Sequence, residues 1–359
     1  MSYGYLEFLP DLSPPVELAL SAAVVGRTTA GPGLTLRDYA TLRADGEAIR
    51  IGANAYFGER ATVHIADSRL GTTVGDEVTV GRFALVHACT VEDRVVIGDA
   101  AVVMDGAWVG AGALIAAGSL VPPRKRLAGG WVYEGNPATP ARAIEAVELA
   151  AAATAIRAGS KSVLTSANDL PVPANLPRGG APHTLHVPAP RIGQAYIAPT
   201  AHVAGDVSVA NDASVFFGCV VIADGARVII GPRTNVQDNS LLVTDAGRGD
   251  ITIGANVTIG HNVRMGSAMI ADDALIGMGS QLADGVLVEP GGCIGARAWV
   301  EAGTVVEAGW IWAGRPARAF RRVKPEERDW FVEGVAVYVR YAAAYRAQAS
   351  QVRERSGGS

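Results

Sequence analysis

Apolar residues recur at every sixth position through long stretches of the chain. An α-helix would place them three and four positions apart, and a half-buried strand would place them at every second position. A six-residue spacing is instead typical of a solenoid in which each hexad forms one short strand and a corner. Three hexads then close one triangular coil, with the apolar anchors stacked inside and small residues or glycine at the corners. The anchors are Val91, Ile97, Val103, Val109, Ile115 and Val121, and then Ile270, Ile276, Leu282, Val288, Ile294 and Val300.

A second, longer period indicates that a whole domain is duplicated. Residues 179 positions apart match without a gap. The matches include Val74-Gly75 with Ile253-Gly254, Asp105-Gly106 with Asp284-Gly285, and Trp131 with Trp310. A constant offset over so many positions predicts two tandem parallel β-helix domains, at 1–158 and 191–359. We expect a proline-rich linker at 159–190 and a helix after each solenoid, over 141–158 and 325–352.

Composition supports an all-β solenoid and excludes several classes of function. The chain is 49% hydrophobic but only 6% aromatic, and 43 of its residues are glycine, which suits many short strands joined by tight corners. A net charge of −4 without a basic cluster predicts no nucleic-acid partner. Charges interrupt every apolar stretch, and residues 1–18 lack the pattern of a signal peptide, so we expect a cytoplasmic protein without a membrane partner. The cysteines Cys89, Cys219 and Cys293 are widely spaced and expected in the core.

Two of the six histidines share one phase of the hexad pattern. His64 follows the anchor Val63, and His87 follows the anchor Val86, one coil later. Their imidazoles should therefore stack about 4.8 Å apart along the solenoid. His261 lies in the second half, where the first half has Arg82. The others fall in the linker or an early coil and are expected to be surface residues: His183, His186 and His202.

Both halves resemble the γ-class carbonic anhydrases. The motifs that carry the resemblance in the first half are Gly81-Arg82, Val86-His87-Ala88-Cys89, Gly118-Ser119-Leu120-Val121-Pro122 and Gly135-Asn136-Pro137, and in the second half residues 230–238 and 258–262. The resemblance implies left-handed β-helices that assemble as trimers with one metal at each interface. The first and third histidine ligands then come from one domain, and the middle one comes from its neighbour.

Carried over residue by residue, the resemblance divides the ligands between the two halves. The first half keeps His64 and His87, and the second half keeps only His261, so these three would form one composite site for Zn²⁺ or another first-row divalent ion such as Fe²⁺ or Co²⁺. Gln237 and Asp238 match the family's polar pair beside the metal. The family's Arg-x-Asp is matched by Arg43 and Asp45. The resemblance thus implies a catalytic role for these four polar residues.

Other residues bear on the substrate. Tyr133 lies where the family has residues at the rim of its pocket, although an ordinary surface position is the other interpretation. Arg82 would either clamp an anionic group of the substrate or pair with an acidic neighbour such as Asp224. The loop at 65–73 holds no Glu, so the acidic proton-shuttle loop of some family members is missing.

Three functions remain open at this point. The first is a metal-dependent lyase or hydrolase that activates water for attack on CO2 or another small carbonyl substrate. The second is a hexapeptide-repeat acyltransferase that uses acyl-CoA, and the third is a non-catalytic assembly subunit. A composite site also predicts a homo-oligomer with three-fold interfaces in which first and second halves are mixed.

Overall fold

A computed structural model describes residues 1–159 and 188–356, with side chains up to residue 349. The chain forms two compact units, and the described residues of the first half and of the second half fall into one unit each. The predicted linker lies outside the described residues, apart from its two ends. Each unit is a left-handed parallel β-helix followed by an α-helix, as the hexad pattern and the family resemblance predict.

The first half consists of short strands and one helix. Its elements are β1 (Ser2–Tyr3), β2 (Asp11–Leu12), β3 (Val16–Leu18), β4 (Ala23–Ala30), β5 (Leu34–Leu36), β6 (Thr41–Ile51), β7 (Tyr56–Phe57), β8 (Thr62–His64), β9 (Thr72–Val74), β10 (Thr79–Val80), β11 (Leu85–His87), β12 (Thr90–Val91), β13 (Val96–Ile97), β14 (Val102–Val103), β15 (Trp108–Val109), β16 (Leu114–Ile115), β17 (Leu120–Val121), β18 (Arg126–Leu127), β19 (Trp131–Glu134), β20 (Thr139–Ala143) and α1 (Ala146–Arg157).

The second half repeats this order. Its elements are β21 (Arg191–Ile192), β22 (Tyr196–Ile197), β23 (His202–Val209), β24 (Ser214–Val215), β25 (Val220–Ile230), β26 (Asn235–Val236), β27 (Leu241–Asp245), β28 (Ile251–Ile253), β29 (Thr258–Ile259), β30 (Arg264–Met265), β31 (Ala268–Ile270), β32 (Leu275–Ile276), β33 (Gln281–Leu282), β34 (Val286–Val288), β35 (Cys293–Ile294), β36 (Trp299–Val300), β37 (Val305–Val306), β38 (Trp310–Gly314), β39 (Ala317–Arg322) and α2 (Pro325–Ser356).

The strands of each half stack into the three faces of a triangular prism. In the first half one face is β8-β11-β14-β17, the second is β9-β12-β15-β18, and the third runs from β7 through β10, β13 and β16 to β19. The long strand β6 bends around a corner and pairs with both β8 and β9, so it joins two faces. In the second half β25 does the same with β27 and β28. Both solenoids end in an antiparallel pair, β19 with β20 and β38 with β39.

The predicted anchors fill the interior of both solenoids. All twelve are at most 1% exposed, and they belong to one continuous apolar cluster in each half. Equivalent anchors pair in register between successive coils, as Ile97 does with Ile115 and Ile276 with Ile294. All three cysteines are buried, as predicted, and Cys89 and Cys219 belong to the apolar clusters. Desolvation raises the pKa of Cys293 to about 12, which keeps its thiol protonated and unreactive.

The corners need a left-handed backbone conformation once per hexad. Along the last coils of the second half, positive φ recurs every six residues, mostly at glycine, as expected. Arg297 and Asp273 adopt the same conformation, with φ of 58° and 59°, so the corners also accept other residues. Many corners are closed by a carboxylate from the next coil. Asp93 Oδ1, for example, accepts the backbone N–H of Asp76 at 2.9 Å.

Each helix covers one face of its solenoid. Helix α1 begins at Ala146 rather than at 141, because Thr139–Ala143 pair antiparallel with β19. Helix α2 packs three tyrosines, Tyr338, Tyr341 and Tyr345, in buried positions. Tyr345 stacks on Tyr196 with a centroid distance of 4.8 Å. The helix therefore packs Tyr338 against the second solenoid.

We expect the anchors to dominate stability. Ile97→Ala and its counterpart Ile276→Ala should each lower the free energy of unfolding by about 2–5 kcal/mol, because a cavity is left among side chains that are fully buried. Urea unfolding followed by circular dichroism measures the change. The control is Val147→Ala on α1, where the side chain is 79% exposed and the change should stay within about 0.5 kcal/mol. Equal losses in core and control variants would contradict the solenoid interior described here.

Candidate metal centre

His64 and His87 lie side by side on adjacent coils of the first half, as the hexad phase predicts. They end strands β8 and β11 and are direct register partners. Their ring centroids are 5.2 Å apart, and His64 Nδ1 lies 3.2 Å from His87 Nε2. Both side chains are buried, at 2% and 5% exposure. The register of two strands thus brings two imidazole nitrogens to face each other.

The other nitrogen of each ring faces a carboxylate. His64 Nε2 lies 3.1 Å from Asp45 Oδ1, and His87 Nδ1 lies 2.7 Å from Asp105 Oδ1. Arg43 forms a fully buried ion pair with Asp45. Carboxylates are acceptors, so they favour the ring proton on the nitrogen that faces them. His64 Nδ1 and His87 Nε2 are then both acceptors, and they point at each other.

This geometry fits a metal ion. Two acceptor lone pairs at 3.2 Å repel unless a proton or a cation lies between them. Two imidazole nitrogens bound to one tetrahedral Zn²⁺, each at 2.0–2.1 Å, would lie about 3.3 Å apart. The donor set, neutral imidazoles backed by carboxylates, is the one that first-row divalent ions prefer. Sequence reasoning identified His64, His87, Arg43 and Asp45 but missed Asp105, although the repeat of Asp105-Gly106 as Asp284-Gly285 marks it.

In the second half, His261 is fully buried beside another carboxylate. Its Nδ1 lies 3.1 Å from Asp238 Oδ2, and both side chains are 0% exposed. Asp238 is fixed in turn, because its Oδ1 accepts the backbone N–H of Phe217 at 3.0 Å. On the other side of the ring, Nε2 lies 3.4 Å from the hydroxyl of Tyr338 on α2. A proton on Nδ1 would face Asp238 and would leave the lone pair of the ring on Nε2.

Gln237 is oriented by a chain of hydrogen bonds. Asn235 Nδ2 faces the carbonyl of Val257 and donates to Thr258 Oγ1 at 3.1 Å. Asn235 Oδ1 then accepts from Gln237 Nε2 at 3.0 Å. Among the residues that the structure describes, Gln237 Oε1 is buried and has no hydrogen-bond partner. The side chain therefore offers a carbonyl acceptor.

The second half has closed the position that His87 occupies in the first. Gly266 stands there, and a Cβ added to it would lie 2.4 Å from Arg248 Nη2 and 2.1 Å from Asp284 Oδ1. Arg248 donates to both carboxylate oxygens of Asp284, at 3.0 and 3.1 Å from Nε, and its Nη1 donates to the carbonyl of Val243 at 3.3 Å. A guanidinium thus fills the space of the missing imidazole and binds the carboxylate equivalent to Asp105.

Arg82 and Tyr133 both have partners within the first half. Within the first half, Arg82 pairs with Asp99, and Arg82 Nε donates to Asp99 Oδ2 at 3.1 Å. A pairing with Asp224 stays a prediction. Tyr133 is 4% exposed, belongs to the apolar core and donates its hydroxyl to the carbonyl of Ala128 at 3.0 Å. Both side chains thus make contacts within the first solenoid, and the substrate-binding roles of Arg82 and Tyr133 stay predictions.

The remaining histidines and the helices add no further chemistry to this picture. His202 is partly buried on β23, rather than on the surface as expected, and His183 and His186 lie outside the described residues. Over the described parts of the chain, neither helix combines the length and apolar character needed to cross a membrane.

Comparison with known proteins places these features in a wider group. A sequence profile described as the hexapeptide repeat of succinyl-transferase matches residues 48–81, 89–122 and 250–283. Mitochondrial γ-carbonic anhydrase 1 of Arabidopsis thaliana is 38% identical over 160 residues, which are 43% of this chain and 58% of that protein. Protein YrdA of Escherichia coli is 35% identical over 152 residues, which are 41% of this chain and 83% of that protein.

Structural likeness extends over both halves. A structure from Desulfovibrio desulfuricans, described as a candidate acetyltransferase, has a TM-score of 0.54 at 12% identity and covers 94% of this chain and 81% of that chain. At this identity the likeness concerns the fold alone. The matches to mitochondrial γ-carbonic anhydrases 1 and 2 of Arabidopsis span 58% and 59% of the length of those proteins.

The Arg248–Asp284 pair should stabilise the second half in a pH-dependent way. Desolvation raises the pKa of Asp284, but hydrogen bonds from Arg248 and Ser267 outweigh it and leave the pKa below its usual value. A lowered pKa in the folded state stabilises above the unfolded pKa, and this stabilisation is lost as the pH falls through the folded value. Arg248→Met should therefore cost about 0.5 kcal/mol at pH 7, since the pair is partly exposed, and almost nothing at strongly acidic pH.

Urea unfolding at several pH values measures this effect. The control is Arg248→Met in an Asp284→Asn background, where only a small cost that does not vary with pH should remain, from the lost hydrogen bond to the carbonyl of Val243. A cost in the Asp284 protein that does not vary with pH, or a pH-dependent cost of the same size in the Asp284→Asn background, would show that Arg248 does not act through Asp284.

Proposed function

We propose that this chain, which belongs to the γ-carbonic anhydrase-like family of left-handed β-helix proteins, is a metal-dependent enzyme with a composite site. The proposed ligands are His64 and His87 of a first half and His261 of a second half. The ion is Zn²⁺ or another first-row divalent ion such as Fe²⁺ or Co²⁺. When bound, it lowers the pKa of a water molecule toward neutrality and so makes hydroxide available for attack on CO2 or another small carbonyl substrate.

One observation carries this proposal. His64 Nδ1 and His87 Nε2 face each other at 3.2 Å, and the opposite nitrogen of each ring is held by a carboxylate. Such a pair supplies two ligands of an open catalytic site, which needs a third from elsewhere in the protein. His261 is the complementary ligand, because the second half retains a buried histidine backed by Asp238 where the first half has Arg82.

The surrounding polar residues have distinct proposed roles. Asp45 and Asp238 hold the ring protons of His64 and His261 on the nitrogens that face them. Arg43 neutralises Asp45, which would otherwise be a buried unpaired charge. Gln237 presents its carbonyl oxygen and can accept a hydrogen bond from an attacking water or from a hydroxyl group of the product.

The substrate class follows from the size and chemistry of such a site. The loop after His64 is a tight turn closed by a bridge between Ala66 and Leu70, and it carries no glutamate that could remove protons quickly. CO2 hydration depends on rapid proton removal after each turnover, whereas slower hydrolysis of a small carbonyl compound does not. We propose CO2 or another small carbonyl compound as the substrate, and the missing glutamate favours slow hydrolysis of a carbonyl compound over rapid CO2 hydration.

A composite site requires a first half to face a second half. We propose that this occurs in a homo-oligomer whose three-fold interfaces mix the two halves. The match to the hexapeptide-repeat profile of succinyl-transferase raises coenzyme A as an alternative ligand, but acyl transfer has no need of two carboxylate-backed histidines with facing nitrogens. An assembly subunit without activity would need no metal at all.

Metal content tests the proposal directly. Protein purified without chelator should contain close to one divalent ion per composite site by elemental analysis. His87→Ala and His261→Ala should each remove nearly all of it, because two imidazoles alone hold such an ion weakly. His202→Ala is the matched control and should retain the full amount. Full retention in His261→Ala would exclude the composite site, and an absence of metal in the unmodified protein would favour the assembly role.

A further inference from the structure

We infer that Asp105 is a positioning residue that selects Nε2 of His87 as the metal ligand, an inference that rests on the proposed function. The carboxylate lies one coil below His87, just after the inward anchor Val103 at the end of β14. Its Oδ1 is 2.7 Å from His87 Nδ1, on the side of the ring away from His64. Asp105 thus acts on the ligand without approaching the metal position.

The physical basis is the choice between two imidazole tautomers. A neutral imidazole carries one proton, and the nitrogen without it offers the lone pair that binds metal. Asp105 accepts a hydrogen bond and so draws the proton to Nδ1. The lone pair is then on Nε2, which faces His64 Nδ1 at 3.2 Å. With the proton on Nε2 instead, the ring would direct an N–H at the metal position.

The second half provides an internal comparison. It retains the carboxylate as Asp284 but has Gly266 at the position of His87. There the carboxylate accepts hydrogen bonds from Arg248 and from the backbone N–H of Ser267, the latter at 2.8 Å. In the first half the N–H equivalent to that of Ser267 belongs to Ala88, and it donates to the carbonyl of His64 at 3.0 Å instead. The first half has therefore turned the carboxylate at this corner toward the imidazole.

Asp105→Asn tests the inference, with Asp284→Asn as the matched control. The asparagine keeps the size of the side chain, but its amide can donate to His87 Nδ1 and so move the ring proton to Nε2. We expect the affinity for Co²⁺, measured by competition with a chelator, to fall about 10- to 100-fold. Asp284→Asn should leave the affinity unchanged, because Asp284 contacts Arg248 rather than a histidine. Asp105→Glu, which restores the acceptor, should recover part of the loss.

A second measurement separates this inference from the proposed function. ¹⁵N NMR of the metal-free protein should show His87 with its proton on Nδ1, and Asp105→Asn should shift it to Nε2. If the unmodified protein bound no metal but showed this tautomer, the proposed function would fail, whereas the inference that Asp105 fixes the tautomer of His87 would stand. A proton on Nε2 in the unmodified protein, or wild-type Co²⁺ affinity in Asp105→Asn, would overturn the inference. Should Asp105→Asn fail to fold, the tautomer of the unmodified protein and the affinity of Asp105→Glu decide the question.

Discussion

The parallel register between successive coils is the constraint on which the rest of this structure depends. Each inward anchor stacks on the equivalent anchor of the next coil, and a slip by one residue would turn the whole apolar set of a strand outward. Because the core forbids that slip, side chains one coil apart are fixed neighbours. His64 lies beside His87 for this reason, and the same register brings the corner that carries Asp105 close to His87. The facing imidazole nitrogens of His64 and His87 thus follow from a register that the apolar core enforces.

Buried charge sets the second condition. Arg43, Asp45 and Asp238 are almost completely buried, and a buried carboxylate or guanidinium is costly unless it is paired. Here each charge has a partner in its own half: Arg43 binds Asp45, and Asp238 binds His261 and a backbone N–H. These pairs hold the imidazoles in one orientation and one protonation pattern. All three histidines share this arrangement, since each has a carboxylate on one side of its ring and its other nitrogen on the opposite side.

The sequence predicts the fold further than it predicts the site. The six-residue spacing identifies the buried anchors, and the shared phase of His64 and His87 places them side by side, because both depend only on counting along the chain. Asp105, Asp99 and Tyr338 escape that reasoning. The first two contacts depend on how each carboxylate turns at its corner, and the third depends on how α2 docks against the solenoid. Tyr133 lies near the end of the first solenoid, and there the sequence does not decide between a core position and a position at the rim of the pocket. Only the packing shows that its side chain is buried in the core.

Duplication explains why the two halves could lose different ligands without losing the fold. The solenoid needs its inward anchors and its corners. His64 and His87 follow the anchors of their strands, and His261 lies in a corner turn where the first half has Arg82, so none of the three is an inward anchor. In each half an arginine lies where the other half has a histidine side chain. Arg82 stands at the position of His261 and binds Asp99, and Arg248 lies beside Gly266, at the position of His87, and binds Asp284. Gly266 leaves room for the second exchange, because a Cβ at that position would require the Arg248 and Asp284 side chains to shift. In place of His87 the second half has Gly266 beside Arg248, and neither residue can ligate a metal ion. The composite site proposed above therefore takes both of its stacked ligands from the first half.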